Sequence, residues 1–230
     1  MVVFLHEGLG CLALWKDFPR QLAHAAGCNA LVYSRFGHGT SAPLLEPRAP
    51  DFMHDEALIV LPSLLDQLDV QQPVLFGHSD GASIALIHAA SAARAVRGAV
   101  LLAPHVMVED VCVQSIAAAR QTYATTDWRE RLGRYHADPD GAFRGWCDIW
   151  LDPRFRQWNI EELVARIRCP LLAIQGYDDE YGTMEQIERI ARLLPDTELL
   201  KLQDCRHSPH RDQPAAVIAA ATRFIDRIRS

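Results

Sequence analysis

Short apolar runs alternate with amphipathic stretches at both ends of the chain. Val2–Leu5, Val74–Phe76 and Ala99–Ala103 are unbroken apolar runs, and Ala30–Arg35 is strand-like. Between them Trp15–Ala26 has helical spacing, Met53–Leu68 carries apolar residues at Leu58, Leu61, Leu64, Leu65 and Leu68, and Ser83–Ala93 is rich in alanine. Towards the C-terminus the rhythm returns as strand Leu171–Gln175, helix Met184–Leu194, strand Thr197–Leu202 and helix Pro214–Ile228. A strand buried on one face alternates apolar with polar residues, whereas a run without alternation has apolar partners on both faces. The pattern predicts an α/β fold, a doubly wound, mostly parallel sheet with helices on both sides.

Pro104 to Pro170 breaks the rhythm. This stretch holds four of the five tryptophans, Trp128, Trp146, Trp150 and Trp158, and Pro139 and Pro153 divide it into several short helices. A helical insertion between two strands lies outside the strands' carboxyl ends, where ligands of open α/β sheets bind. The predicted organisation is a core of residues 1–104 and 170–230 with a helical cap over 105–169. Trp128, Trp146 and Trp150 of the cap, and His105 just past a strand end, are the candidate substrate-binding residues. The plain alternative is that these tryptophans fill the cap's own core.

Composition narrows the classes. The chain has 230 residues, 49% hydrophobic and 23% charged, a balance that excludes disordered, collagen-like and coiled-coil proteins. A net charge of −6 without any basic run makes nucleic acid and anionic membranes poor partners. No apolar stretch approaches the ~20 residues of a membrane span, and the opening MVVFLHEGLG has neither a basic segment nor a cleavage site. The six cysteines are scattered without a C-x-x-C pair, which reads as reduced thiols in a cytoplasmic protein without a metal site.

The chemistry concentrates at strand ends. Gly77-His78-Ser79-Asp80-Gly81 lies between a strand and a helix. G-x-S-x-G in that context turns a strand sharply into a helix and exposes the serine hydroxyl, so Ser79 is the candidate nucleophile. The helix N-terminus adds positive potential beside it. A serine hydroxyl needs a base, and the segment after the last strand offers His207 and His210. The imidazole in turn needs an acid to hold its tautomer. In Gly176-Tyr177-Asp178-Asp179-Glu180, Asp179 is the candidate and Asp178 the alternative. Attack on a carbonyl makes an oxyanion that needs fixed donors. The Asp80 N–H is one, and His6-Glu7-Gly8-Leu9-Gly10 supplies the other, from Leu9 or alternatively Gly8. His78 is expected to pack beside the turn, and Arg35, at a strand end, to brace the oxyanion loop.

These segments resemble the serine hydrolases of the α/β-hydrolase superfamily over nearly the whole chain. His6–Gly10, Ser34–Ser41, Gly77–Gly81, Gly176–Asp179 and His207–His210 carry the likeness, and the order Ser79, Asp179, His207 is the order of that family's triad. The resemblance implies His207 as base with His210 shaping the loop, Asp179, three past Gly176, as acid, and neither metal nor organic cofactor. Two places depart from the family pattern. Arg206 stands where a glycine usually precedes the histidine. The chain also opens directly on the strand that carries the H-x-G loop, without the usual preceding hairpin, and is read either as a shortened member or as lacking its natural start. By the family's strand order Ala30–Arg35 then becomes a sheet edge without lysine or proline, and such an edge invites pairing with another chain. A homodimer at this strand, or a loss of stability, is expected.

A serine at the nucleophile position excludes the haloalkane dehalogenases and epoxide hydrolases of this fold, which need a carboxylate there. The expected reaction is hydrolysis of a small-molecule carboxylic ester through an acyl-enzyme. Thioester hydrolysis, C–C bond hydrolysis and acyl transfer use the same triad. The reading from a different class is a ligand-binding α/β-hydrolase without catalysis.

Overall fold

The computed structural model describes residues 1–91 and 94–229. Six strands, β1 (Val2–Leu5), β2 (Ala30–Val32), β3 (Val74–His78), β4 (Gly98–Leu102), β5 (Leu171–Gly176) and β6 (Glu198–Leu202), form one sheet in the order β2-β1-β3-β4-β5-β6. Every neighbouring pair is parallel. The lack of alternation in the apolar runs has its physical counterpart here. Val2 and Phe4 pack on one side with Phe76, Leu102 and Ile174, while Val3 and Leu5 pack on the other with Leu75, Leu101 and Ala173. Helix α1 (Phe18–Ala25) and, after the short α10 (Pro209–Asp212), helix α11 (Pro214–Arg229) cover the first side. The second is covered by α2 (Phe52–Asp55), which runs through a π-turn at Glu56–Val60 into α3 (Leu61–Gln67), and by α4 (Asp80–Ala90) and α9 (Glu185–Leu193).

The chain goes from β1 outward to β2 and then crosses back to β3, so the strand order reverses between β1 and β3. That is the switch point where connections diverge and leave a crevice at the carboxyl ends. The His6–Gly10 loop leaves β1 and the Ser79 turn leaves β3, so both flank this crevice.

Several predicted boundaries move, each for a local reason. β2 stops at Val32 instead of Arg35, because the next residues turn to other partners: the Ser34 hydroxyl accepts the Leu12 N–H at 2.9 Å and the Arg35 N–H donates to His6 Nε2 at 3.0 Å. The edge strand is therefore three residues long, and short edge strands are one way a sheet limits further pairing. The helix expected over Trp15–Ala26 is broken at Lys16 (φ 52°), with a 3-10 turn at Leu12–Trp15 before it and α1 started by Pro19 after it. α4 begins at Asp80, directly from the serine turn, three residues ahead of the predicted Ser83. Nearly all of α4 is buried, so it has no apolar stripe to mark its start. The predicted extension of this helix through Ala92 and Ala93 lies outside the described residues.

Between β4 and β5 the chain forms α5 (Asp110–Thr125), α6 (Trp128–Leu132), α7 (Pro139–Trp150), a 3-10 turn at Pro153–Gln157 and α8 (Glu161–Val164). The two prolines start elements here. Asp138 caps α7 by accepting the Gly141 N–H at 2.9 Å, and Asp152 accepts the Arg154 N–H at 2.8 Å. α5, α6 and α7 pack on one another, while α8 lies against α4 and α9. A lone antiparallel bridge between Met107 and Asn159 ties the two ends of the insertion together. Among the described residues no helix is long and apolar enough to cross a membrane.

Close packing of β1 on the serine turn makes Gly81 indispensable. A Cβ there would overlap the Leu5 carbonyl, backbone against backbone, with no flexible side chain to yield. Gly81→Ala is expected to destabilise the fold by about 3 kcal/mol, a fall in Tm of about 6–12 °C for a chain of this size, measurable by calorimetry.

Candidate active site

Ser79 occupies the left-handed region, with φ 54° and ψ −121°, a conformation that costs energy for a residue with a Cβ. The turn is held by the Ser79 N–H, which donates to the Leu102 carbonyl at 2.9 Å, and by the helical bonds that Ala82 and Ser83 make back to the Ser79 carbonyl. Gly77 and Gly81 let the backbone close this tightly, since a side chain on Gly77 would strike the Gly81 carbonyl. The result lifts the Ser79 hydroxyl off the sheet toward the loop after β6.

His207 meets it there. Its Nε2 lies 2.9 Å from Ser79 Oγ, and its Nδ1 lies 2.8 and 2.9 Å from the two Asp179 oxygens. An ionised carboxylate only accepts, so Nδ1 carries the proton and Nε2 presents its lone pair to the Ser79 hydroxyl. Asp179 is fixed by further donors. Gln175 Nε2 reaches Oδ2 at 2.7 Å, and the N–H groups of Tyr181 and Gly182 reach Oδ1 at 2.8 and 3.2 Å. Burial pushes the Asp179 carboxyl up, but the neighbouring His207 and these hydrogen bonds outweigh it and hold the carboxyl below its usual range. Burial likewise pushes His207 down, and Asp179 outweighs it, so the imidazole lies above its ordinary value.

The alternatives fall elsewhere. Asp178 is exposed, and its backbone N–H donates to the Cys205 carbonyl at 3.0 Å. His210 is buried against Trp15, Phe18 and His78, with ring centroids 4.8, 5.6 and 4.9 Å away, and burial holds it well below the usual histidine range. His78 is fully buried beside the turn, and its Nε2 lies 2.7 Å from the His207 carbonyl.

The loop after β1 is clamped from two sides. Arg35, wholly buried, donates through Nη2 to the carbonyls of His6 and Glu7 at 3.2 and 2.9 Å. From the insertion, His136 accepts the Gly39 N–H on Nδ1 at 3.0 Å, which leaves its Nε2–H to donate to the Leu9 carbonyl at 3.1 Å. These bonds hold the peptide planes on either side of the Gly8–Leu9 plane. Trp146 lies so close over Gly8 that a side chain at that position would overlap the indole. Among the hydrogen bonds of the described residues, none uses the N–H of Gly8, Leu9 or Asp80. The Asp80 carboxylate is buried, accepts the Trp150 indole N–H at 3.1 Å and lies 3.9 Å from Arg35.

A cavity of about 100 Å³ adjoins Ser79, His207 and the Gly8–Leu9 loop. Of the expected substrate-binding residues, Trp146, Trp150 and His105 line it. Burial and the nearby His207 depress the His105 imidazole to about 3, so it presents a neutral ring. Trp128 does not line this cavity: it packs on Tyr123 and Phe143, with centroids 6.4 and 5.7 Å away, and lines a second cleft that shares Glu7 and Leu9 with it. Phe143 stands between it and Trp146, as the pairwise contacts show. Among the described residues no group of His, Cys, Asp and Glu side chains is placed to hold a metal ion.

The sequence profile of the alpha/beta hydrolase family matches residues 2–221. The chain belongs to the α/β-hydrolase family. A curated protein similar to this α/β hydrolase is the sn-1-specific diacylglycerol lipase ABHD11 of Danio rerio, 22% identical over an alignment, 251 positions long with its gaps, that covers 97% of this chain and 78% of the lipase. A thermophilic esterase from Thermogutta terrifontis shares the fold with a TM-score of 0.76 at 18% identity, covering 100% of this chain and 90% of the esterase. A carboxylesterase structure from Nitrososphaera gargenis aligns with a TM-score of 0.79 at 18% identity over 99% and 90% of the two chains.

Four contributors to the site of this α/β hydrolase escape a reading of the sequence. Cys112 and Ile116 line the cavity from one face of α5, four residues apart. That spacing is a visible signal, but nothing in it says which cavity the face meets. Tyr181 is brought in by the same loop that carries Asp179, and Gln175 by the preceding strand end.

Proposed function

We propose that this protein is a serine hydrolase of carboxylic esters, with Ser79 as nucleophile, His207 as base and then acid, and Asp179 as the group that orients and stabilises the imidazole. What carries the reading is the unbroken hydrogen-bonded chain from Asp179 through His207 to Ser79 Oγ at the wall of a cavity. In this mechanism His207 Nε2 takes the Ser79 proton as Oγ attacks the ester carbonyl. The oxyanion forms beside the Leu9 and Asp80 N–H groups, and each such donor is worth about 3 kcal/mol to the transition state. Collapse breaks the bond to the alkoxide, which leaves with the proton from His207. Water then repeats the sequence on the acyl-enzyme and frees the acid. The clamps from Arg35 and His136 support the reading, because fixed donors need not reorganise during the reaction.

The first test is kcat/KM for p-nitrophenyl acetate across pH, with acetyl-CoA run beside it to separate ester from thioester. His207 works as a base only when neutral, and Asp179 holds its pKa above the ordinary 6.5. Activity is therefore expected to be low in acid, to rise as pH passes through that raised value, and to level off above it. A profile already flat from pH 5 upward would count against His207 as the base. Turnover of the thioester alone would move the assignment to a thioesterase on the same residues.

A further inference from the structure

The cavity beside Ser79 has a closed end and a mouth. His105, Cys112, Ile116 and Trp150 form the closed end, each no more than 2% exposed. Glu7 and Leu9, both partly exposed, form the mouth, because they also line a second cleft of about 650 Å³. A dry cavity of about 150 Å³ accommodates benzene, with six carbon atoms, so by proportion about 100 Å³ takes about four.

The order of bond breaking assigns the ends. The alkoxide must collect its proton from His207 and depart first, so the alcohol belongs at the mouth, extending into the larger cleft, and leaves the small cavity to the acyl group. The acyl group stays bonded to Ser79 until water arrives, and it belongs at the closed end. On the ester-hydrolase reading above, we propose that the closed end formed by Cys112, Ile116 and Trp150 restricts the substrate to esters of short acids, from acetyl to butyryl, while the alcohol is tolerated over a wide range of sizes. Ile116 is the stop that can be moved. It lies on α5 one turn beyond Cys112 and its side chain has no polar atom to tie it, whereas Trp150 is tied to Asp80. A chain of six carbons has to push into buried side chains that are packed against the core, and a closed core resists added methylenes.

The test is a series of p-nitrophenyl esters, acetate, butyrate, hexanoate and octanoate, at one alcohol, and of phenyl and 1-naphthyl acetate, at one acid. In the wild type kcat/KM is expected to fall at least about tenfold from butyrate to hexanoate, the discrimination that extra methylenes produce against a fixed pocket wall. The two aryl acetates should be turned over comparably. Ile116→Ala removes three carbons from the stop and is expected to raise the hexanoate-to-butyrate ratio about tenfold. Hexanoate or octanoate used by the wild type as well as butyrate would overturn the proposal and leave the ester-hydrolase reading standing. So would discrimination between the two aryl acetates as large as that expected between butyrate and hexanoate. No turnover of any ester would overturn both. The wild-type series decides the matter even if Ile116→Ala fails to fold.

Discussion

Ser79→Ala is expected to lower kcat for ester hydrolysis by on the order of a thousandfold or more while the protein stays folded. The size follows from what remains. With the hydroxyl gone, no protein atom attacks the carbonyl, and only binding and the oxyanion donors still assist water. The fold is expected to survive because the Ser79 side chain makes its hydrogen bond to His207 alone. An alanine at φ 54° is no more strained than the serine it replaces, since both carry a Cβ. The β1–β3–β4 register and the backbone bonds of the turn are untouched by the change. Two measurements check it: steady-state turnover of p-nitrophenyl acetate by purified variant and wild type, and labelling by a fluorophosphonate, which should modify Ser79 in the wild type only. A variant that keeps more than a tenth of the activity would remove Ser79 as the nucleophile.

Asp179→Asn is expected to cost up to about 10⁴ in kcat while the protein stays folded. Its physical cause is the tautomer of His207. Oδ1 of residue 179 is claimed by the N–H groups of Tyr181 and Gly182, which can only donate. The amide oxygen of an asparagine must take that position, and this turns its NH₂ toward Gln175 and His207 Nδ1. Nδ1 then accepts, the ring proton moves to Nε2, and Nε2 no longer takes the Ser79 proton. Gln175 can turn its amide oxygen, buried without a hydrogen-bond partner, toward the new NH₂, but only by giving up the bond its own NH₂ donates to the Gly182 carbonyl at 3.0 Å, so the variant is expected to lose about 1–3 kcal/mol of stability. With the negative charge gone, the acid limb of the pH profile is expected to move to lower pH, since Asp179 is what raises His207 against its burial. Asp178→Asn is the control and should stay near wild-type activity, its side chain being exposed. A larger loss at Asp178 than at Asp179 would reverse the assignment.

Much of this arrangement is legible in the residues. Unbroken apolar runs at Val2–Leu5 and Val74–Phe76 can be strands only if both faces are covered, so the sheet with helices on either side follows from hydrophobic burial alone. Gly77 and Gly81 around Ser79 mark a turn that only glycine permits, because a side chain on Gly81 would meet the β1 backbone and one on Gly77 the backbone of Gly81 and Ala82. Local patterning also places the candidate acid and base at strand ends, each within a loop of a few residues. It does not go further, because Asp178 and Asp179 are chemically the same and adjacent, and His207 and His210 are the same and three apart. Which of each pair meets Ser79 depends on the side-chain directions of two loops whose partners lie 28 and 128 residues away. Only the folded chain brings Asp179 and His207 to one line and sends His210 into the Trp15–Phe18 packing. The same limit separates Trp146 and Trp150 from Trp128. All three sit on amphipathic helices of the insertion, but the cavity is made by the contact between α5, α7 and the β1 loop, and contacts between distant segments are set by packing rather than by periodicity.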